Sequence, residues 1–180
     1  MKKTLVACAA GWLFVTGSAN AISMQGEAGQ HYTSLGVGMG TSTSGLAVSG
    51  NWLRSDHDGN VGSLGLGFSL PVGPMMATVG GKALYLSPND GKSGAALAVG
   101  GGLQWPINRY FSLYGEGYFA PEALTSGVKA YSEVNGGLRW NVFSPFSVNA
   151  GYRYVNIEGK EGHRDNTVAD GLYIGAGLSF

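Results

Sequence analysis

Asp170-Gly-Leu-Tyr-Ile-Gly-Ala-Gly-Leu-Ser-Phe180 reads as one extended strand with two unlike faces. Successive side chains of a strand point to opposite sides. Leu172, Ile174, Ala176, Leu178 and Phe180 therefore share one side, while Tyr173, Gly175, Gly177 and Ser179 share the other. Any edge strand could carry this pattern, so its meaning depends on whether the rest of the chain repeats it.

Upstream the pattern recurs as Leu64-Leu66-Phe68-Leu70, Leu97-Val99-Gly101-Leu103-Trp105, Val134-Gly136-Leu138-Trp140 and Phe146-Val148-Ala150-Tyr152-Tyr154. None of these faces holds a charge in mid-strand. Lys82, Glu116, Glu133, Arg139 and Arg153 fall on the opposite faces. A charge facing lipid at mid-depth costs about 2–4 kcal/mol, so this distribution predicts a membrane wall with its ionised groups turned to a lumen. A soluble lipocalin-like barrel would show the inverse. The aromatics fall at strand ends: Phe68, Trp105, Phe111, Trp140, Phe146 and Phe180 at one, Trp52, Tyr85, Phe119, Tyr152 and Tyr154 at the other. Two such girdles are the interfacial belts of a transmembrane barrel.

Turn signals set the strand count. Thr41-Ser-Thr-Ser44, Pro71-Val-Gly-Pro74, Pro106-Ile-Asn-Arg109 and Val142-Phe-Ser-Pro145 are short connections. Longer polar ones lie between them, over Ser55 to Asn60, Ser87 to Gly94, Pro121 to Val128 and Ile157 to Ala169. Tight turns on the periplasmic side alternate with longer outer loops in transmembrane barrels. Four short turns imply five hairpins and ten strands, starting near Ile22, Tyr32, Gly45, Val61, Met75, Ala95, Tyr110, Lys129, Phe146 and Asp170. If Thr41 to Ser44 is a bulge, the count drops to eight. The expected fold is all-β, a transmembrane antiparallel up-and-down barrel over residues 22–180.

Composition agrees. The 180 residues suit one domain, only 12% are charged, 11% are aromatic and 32 are glycine. No basic excess points to nucleic acid. Outside the leader no apolar run approaches the ~18 residues of a transmembrane helix. Residues 1–21 read as a signal peptide: Lys2 and Lys3, an apolar run from Leu5 to Val15, and Ala19-Asn20-Ala21 for cleavage. The mature chain would begin at Ile22 with nine basic against eleven acidic residues, a net charge of −2. Cys8, the one cysteine, leaves with the leader, so no disulfide framework is expected. Leu5-Val6-Ala7-Cys8 spells a lipobox but lies too close to Lys3 within a continuing apolar run.

The C-terminal strand resembles the terminal strand of bacterial outer-membrane barrels, with Tyr173, Gly175, Leu178 and Phe180 in the characteristic places. That resemblance implies an assembly signal read by the barrel-insertion machinery. Ser49-Gly-Asn-Trp52, Pro71 to Gly81, Val99-Gly-Gly-Gly-Leu-Gln-Trp105 and Gly151-Tyr-Arg-Tyr154 with His163-Arg-Asp-Asn166 resemble the YfaZ family of enterobacterial outer-membrane proteins over the whole chain. This implies localisation in the bacterial outer membrane, with lipid and lipopolysaccharide as surroundings. It implies no particular activity.

Candidate chemistry is sparse. Gly36-x-Gly38-x-Gly40, Gly65-x-Gly67 and Gly100-Gly-Gly102 lack the helix of a phosphate-binding loop. They read better as small inward residues letting a narrow barrel close. Lys82, Glu116, Glu133, Arg139 and Arg153 suit an internal ion-pair network, or a constriction carrying both signs. Asp56-His57-Asp58 and His163-Arg164-Asp165 lie in expected outer loops. Asp–His couples at a barrel mouth are similar to those of omptin surface proteases, although the loops here are shorter and the spacings differ. Asp56 to Asn60 lacks the closing Glu of a calcium loop. The sequence therefore predicts a non-enzymatic barrel without cofactor or metal, acting as a narrow pore or in a structural or surface-interaction role. An omptin-like hydrolase and an adhesin working through its outer loops are the alternatives.

Overall fold

In the computed structural model, residues 22–40, 43–89, 92–160 and 163–180 are described. The leader expected over residues 1–21 lies outside them. The strands are β1 (Ile22–Gly29), β2 (Tyr32–Met39), β3 (Gly45–Ser55), β4 (Gly59–Val72), β5 (Met75–Pro88), β6 (Gly94–Pro106), β7 (Phe111–Ala120), β8 (Thr125–Ser126), β9 (Ala130–Phe143), β10 (Phe146–Glu158) and β11 (Asn166–Ser179). The two-residue β8 pairs with the start of β6, and β7 pairs directly with β9. Ten antiparallel strands thus form the wall. β1 pairs with β11 from Ser23↔Ser179 to Gly29↔Tyr173. Ile22 and Phe180 exchange backbone hydrogen bonds of 3.0 and 2.9 Å. The sheet is closed and leaves no unpaired edge to lipid. Ile22–Gly29 is a full strand and the chain reverses between β2 and β3, so the count is ten and not eight.

At the rim carrying the termini, the remaining reversals fall at Gly73-Pro74, over residues 107–110 and at Ser144-Pro145. Gly73 takes a φ of +60°, which a residue without Cβ adopts freely. At the opposite rim the connections span residues 30–31, 56–58, 89–93, 121–129 and 159–165. The long loops expected over Ser55 to Asn60 and Ile157 to Ala169 are therefore shorter than the sequence suggested. β11 begins at Asn166 and not near Asp170 because this stretch packs inward: Asn166, Val168 and Ala169 are buried. A bulge facing Val155 and Asn156 turns the consecutive Val168 and Ala169 to the same side.

The outer surface is apolar. Leu64, Leu66, Leu97, Val99, Leu172 and Ile174 are each more than half exposed, and Phe68, Trp105, Trp52 and Tyr85 flank them. A patch this extensive has no place on a water-facing monomer; it matches an acyl-chain environment. We predict that Leu66→Arg, at mid-wall, costs about 2–4 kcal/mol of folding into vesicles, while Leu70→Arg near the rim costs about 0–1 kcal/mol. Urea titration of the heat-modifiable folded band measures both. Equal costs at the two depths would contradict a lipid-facing wall.

The inside is not uniform. In the half away from the termini the lumen is filled by side chains including Leu53, Leu84, Leu86, Val155, Ile157 and Val168, none more than 3% exposed. Inward positions change character along single strands: Lys82 is followed on its face by Leu84 and Leu86, Arg153 by Val155 and Ile157. Residues 121–129 close this plug from above. Val128 is buried there, and its carbonyl accepts a hydrogen bond from Thr125 Oγ1 at 2.9 Å. The Tyr32 hydroxyl is buried within the plug without a hydrogen-bond partner among the described residues. Leaving such a group unmet costs about 1–3 kcal/mol. Tyr32→Phe should therefore raise the unfolding free energy by about 1 kcal/mol, seen as a higher urea midpoint; a lowered midpoint would show that the hydroxyl is satisfied.

Candidate functional site: a charge cluster beneath the plug

Directly beneath the apolar plug, five ionised side chains from five strands meet. Arg153 on β10 places Nη1 2.8 Å from Glu27 Oε2 on β1 and 3.1 Å from Ser34 Oγ on β2. Its Nη2 lies 3.7 Å from Glu116 on β7 and 3.6 Å from Glu133 on β9. Lys82 on β5 donates to Glu133 Oε2 at 3.0 Å, stands 3.7 Å from Glu116 and sits 3.8 Å above the Tyr118 ring. The planar fork of arginine lets one side chain serve carboxylates on three strands at once. Side-chain exposures of 2% for Arg153, 1% for Glu27, 6% for Glu133 and 8% for Lys82 mark a desolvated cluster, which persists because each charge meets partners.

A polar shell fixes these groups. Tyr131 donates to Glu133 Oε2 at 3.1 Å and Asn135 Nδ2 to Glu116 Oε1 at 3.2 Å. Tyr173 donates to Asn135 Oδ1 at 2.8 Å, and its hydroxyl also meets that of Tyr114. Asn51 Nδ2 donates to Ser34 Oγ at 2.8 Å, holding the hydroxyl that Arg153 contacts. Two glycines make room for the tyrosines. A Cβ on Gly137 would come within 2.8 Å of the Tyr114 hydroxyl oxygen, and one on Gly151 within 2.8 Å of that of Tyr173.

Lys82, Glu116, Glu133 and Arg153 thus come together. Arg139, from the same expected set, stands nearer the terminus rim, with its guanidinium 5.3 Å from the Tyr114 ring centre and no ion pair among the described residues. Glu27 was missed by sequence reasoning, although its signal was available: Ser23, Gln25 and Glu27 share the polar side of β1. Of the terminal-strand set, Tyr173 lies inside the lumen, whereas Leu178 and Phe180 are exposed on the outside and Gly175 pairs with Glu27 on β1. In the loops, the His57 ring meets that of His31 edge-on at 6.3 Å. Asp58 lies 3.5 Å from Arg164, and Asp165 accepts the Gly159 amide at 3.0 Å. The His31–His57 and Asp58–Arg164 contacts tie loop to loop, and the Gly159–Asp165 bond holds one loop to itself.

Between the cluster and the terminus rim the lumen is open. A cavity of about 220 Å³ runs from Ser23, Gln104 and Ser179 near that rim to Lys82, Glu116 and Arg153 at mid-barrel. Glycines and neutral polar side chains such as Gln25, Ser49, Ser63 and Thr78 line it, together with Met76, Tyr114, Tyr118 and Arg139. The lumen is therefore a cup, open on the side of the termini and stopped by the charge cluster and the plug.

The family described as YfaZ precursor matches residues 1–180. Outer membrane protein YfaZ of Escherichia coli (strain K12) is 55% identical over 180 residues, covering all of both chains. Among solved structures, the NanC porin overlaps 90% of this chain and 99% of its own, at 12% identity and a TM-score of 0.46. The outer membrane channel DcaP of Acinetobacter baumannii overlaps 86% of this chain and 54% of its own, at 13% identity and a TM-score of 0.44. A ten-stranded closed barrel with an apolar exterior, matched from end to end, places the chain in the YfaZ family of outer-membrane proteins.

Proposed function

We propose that this outer-membrane barrel is closed to solutes and acts without catalysis, as a structural or surface-interaction protein rather than a pore. One observation carries this reading: a packed apolar layer, with Leu86 and Ile157 fully buried and Val155 and Val168 1% exposed, fills the lumen beyond the charge cluster. An ion entering that layer sheds its hydration without receiving compensating ligands, which costs several kcal/mol, and apolar constrictions of this kind block conduction by excluding water. Purified, refolded protein in planar bilayers should show no conductance steps. Steps of reproducible size from the wild-type chain would overturn the reading.

The same proposal sets the chain in the membrane with its termini toward the periplasm, after cleavage behind Ala21. Assembly would proceed through the β11 strand, with Tyr173, Gly175, Leu178 and Phe180 presented to the insertion machinery before β1 closes on it. The loop rim would then meet lipopolysaccharide. The ion pairs that brace this rim, Lys129–Glu158 at 3.2 Å and Lys160–Glu122 at 3.1 Å, favour a fixed outer face. The hydrolase alternative draws no support from the positions of Asp58 and Asp165, which are engaged in holding loops. It predicts hydrolysis lost on alanine substitution of His57 and His163.

A further inference from the structure

We propose that the outer wall of β2–β5 carries, at its loop end, a docking site for the phosphorylated sugar head group of lipopolysaccharide, with Arg54 as the phosphate ligand. Thr33, Arg54, Asn60 and Ser87 are successive cross-strand partners on these four neighbouring strands. Each is the second residue from the loop end of its strand. Each also shares the outward parity of Leu35, Trp52, Gly62 or Tyr85, two residues nearer mid-wall, and Thr33 and Arg54 are exposed. Hydroxyl, guanidinium, amide and hydroxyl groups therefore stand side by side on the outside of the barrel, over about 14 Å at the spacing of adjacent strands. The side chains of Thr33, Arg54 and Asn60 make no hydrogen bond or ion pair among the described residues. Nearby carboxylates do not neutralise the arginine. Glu158 on β10 pairs with Lys129 at 3.2 Å, and Asp170 on β11 accepts from the Tyr152 hydroxyl. Asp56, in the loop that follows β3, forms no ion pair with Arg54.

Depth selects the partner. Trp52 and Tyr85, about half exposed, belong to the aromatic girdle, and rings of that kind sit at the level of lipid head groups. A Cβ on Gly62 would come within 2.9 Å of the Trp52 ring, so the glycine lets that ring lie against the wall. The polar row stands two residues beyond the rings, about 7 Å further along the strands. An arginine facing lipid carries little penalty at that level, whereas acyl chains offer it nothing. A phosphate receives paired, charge-assisted hydrogen bonds from a guanidinium, and the flanking hydroxyls and amide match the sugar to which the phosphate is attached. This site rests on the orientation proposed above, with the loop rim outward, and names what that rim holds.

The test titrates the refolded chain in detergent micelles with diphosphoryl lipid A, and with the same lipid A after removal of its phosphates, using native mass spectrometry to count bound copies. The wild type is expected to bind the phosphorylated form at least about tenfold more tightly. Arg54→Gln should cut that preference to about twofold or less, while Arg109→Gln, which removes a cation at the opposite rim, should leave it unchanged. Both variants are first checked for the heat-modifiable folded band. Equal binding of the two lipids by the wild type would overturn the proposal. So would a preference retained in folded Arg54→Gln, or one lost equally in both variants, which marks unspecific charge attraction. The wild-type comparison needs no substitution, so a variant that fails to fold leaves the decision intact. Orientation is read separately, from Lys92→Cys labelled on intact cells by a membrane-impermeant maleimide, since residues 22–180 contain no other cysteine. Labelling without a phosphate preference sinks the site alone, and absence of labelling sinks the orientation and the site with it.

Discussion

Arg153→Met is expected to abolish most of the folded, heat-modifiable form. Removing one partner of a buried ion pair costs about 3–5 kcal/mol, because the remaining charge stays buried without compensation. Here the loss is wider than one pair: Glu27 forfeits its 2.8 Å cation, Glu133 and Glu116 keep only Lys82, and Ser34 loses its donor. Three carboxylates would face a single ammonium in the middle of the wall. Arg153→Lys should fall between, since one ammonium cannot take up the separate Nη1 and Nη2 contacts that join β1, β2, β7 and β9. Adding Glu27→Gln to Arg153→Met removes the most deeply buried uncompensated charge and should recover more than half of the lost stability. Urea midpoints for the three variants give the order. A wild-type midpoint for Arg153→Met would show that the cluster does not hold the strands together.

Much of this architecture was legible, and what was hidden has physical causes. The outward faces could be read because lipid tolerates no mid-depth charge, so Leu64-Leu66-Phe68-Leu70 and its counterparts carry a clean signal. The ten-strand count followed from four short turns, at Thr41 to Ser44, Pro71 to Pro74, Pro106 to Arg109 and Val142 to Pro145. The lumen imposes no comparable rule, since an inward position accepts any group that finds partners or close packing. Reading Lys82 and Arg153 as inward was possible by parity. That Leu84, Leu86, Val155 and Ile157 share their side followed from the same parity, but an apolar residue on the polar face is an ambiguous sign until its neighbours are known. The start of β11 was misplaced because Asn166 and Thr167 look like loop, and the bulge that turns Val168 and Ala169 inward breaks the period of two. Glu27 escaped because β1 was inferred from a turn count, whereas its importance comes from Arg153, 126 residues away.

The second large effect expected is a gain of conductance when the plug is thinned. Leu86→Ala and Ile157→Ala each remove a fully buried side chain from the layer that separates cup from loop rim, at about 2–5 kcal/mol apiece where the cavity does not collapse. The wall itself is unaffected, because its ladder bonds and lipid face involve neither side chain. Adding Val155→Ala opens a continuous space over one side of the lumen, large enough for water to reach the charge cluster. Once wetted, Lys82, Glu116, Glu133 and Arg153 no longer form the bottom of a cup but a ring of both signs, the kind of lining that passes small ions with weak selectivity. Small, frequent steps are therefore expected from the triple variant in planar bilayers where the parent chain is silent. Val155→Thr with Ile157→Thr offers a milder route, since it makes the layer polar without hollowing it. Silence from both variants, each refolded to the heat-modifiable form, would place the barrier elsewhere, either in the charge cluster or in the loop that carries Val128.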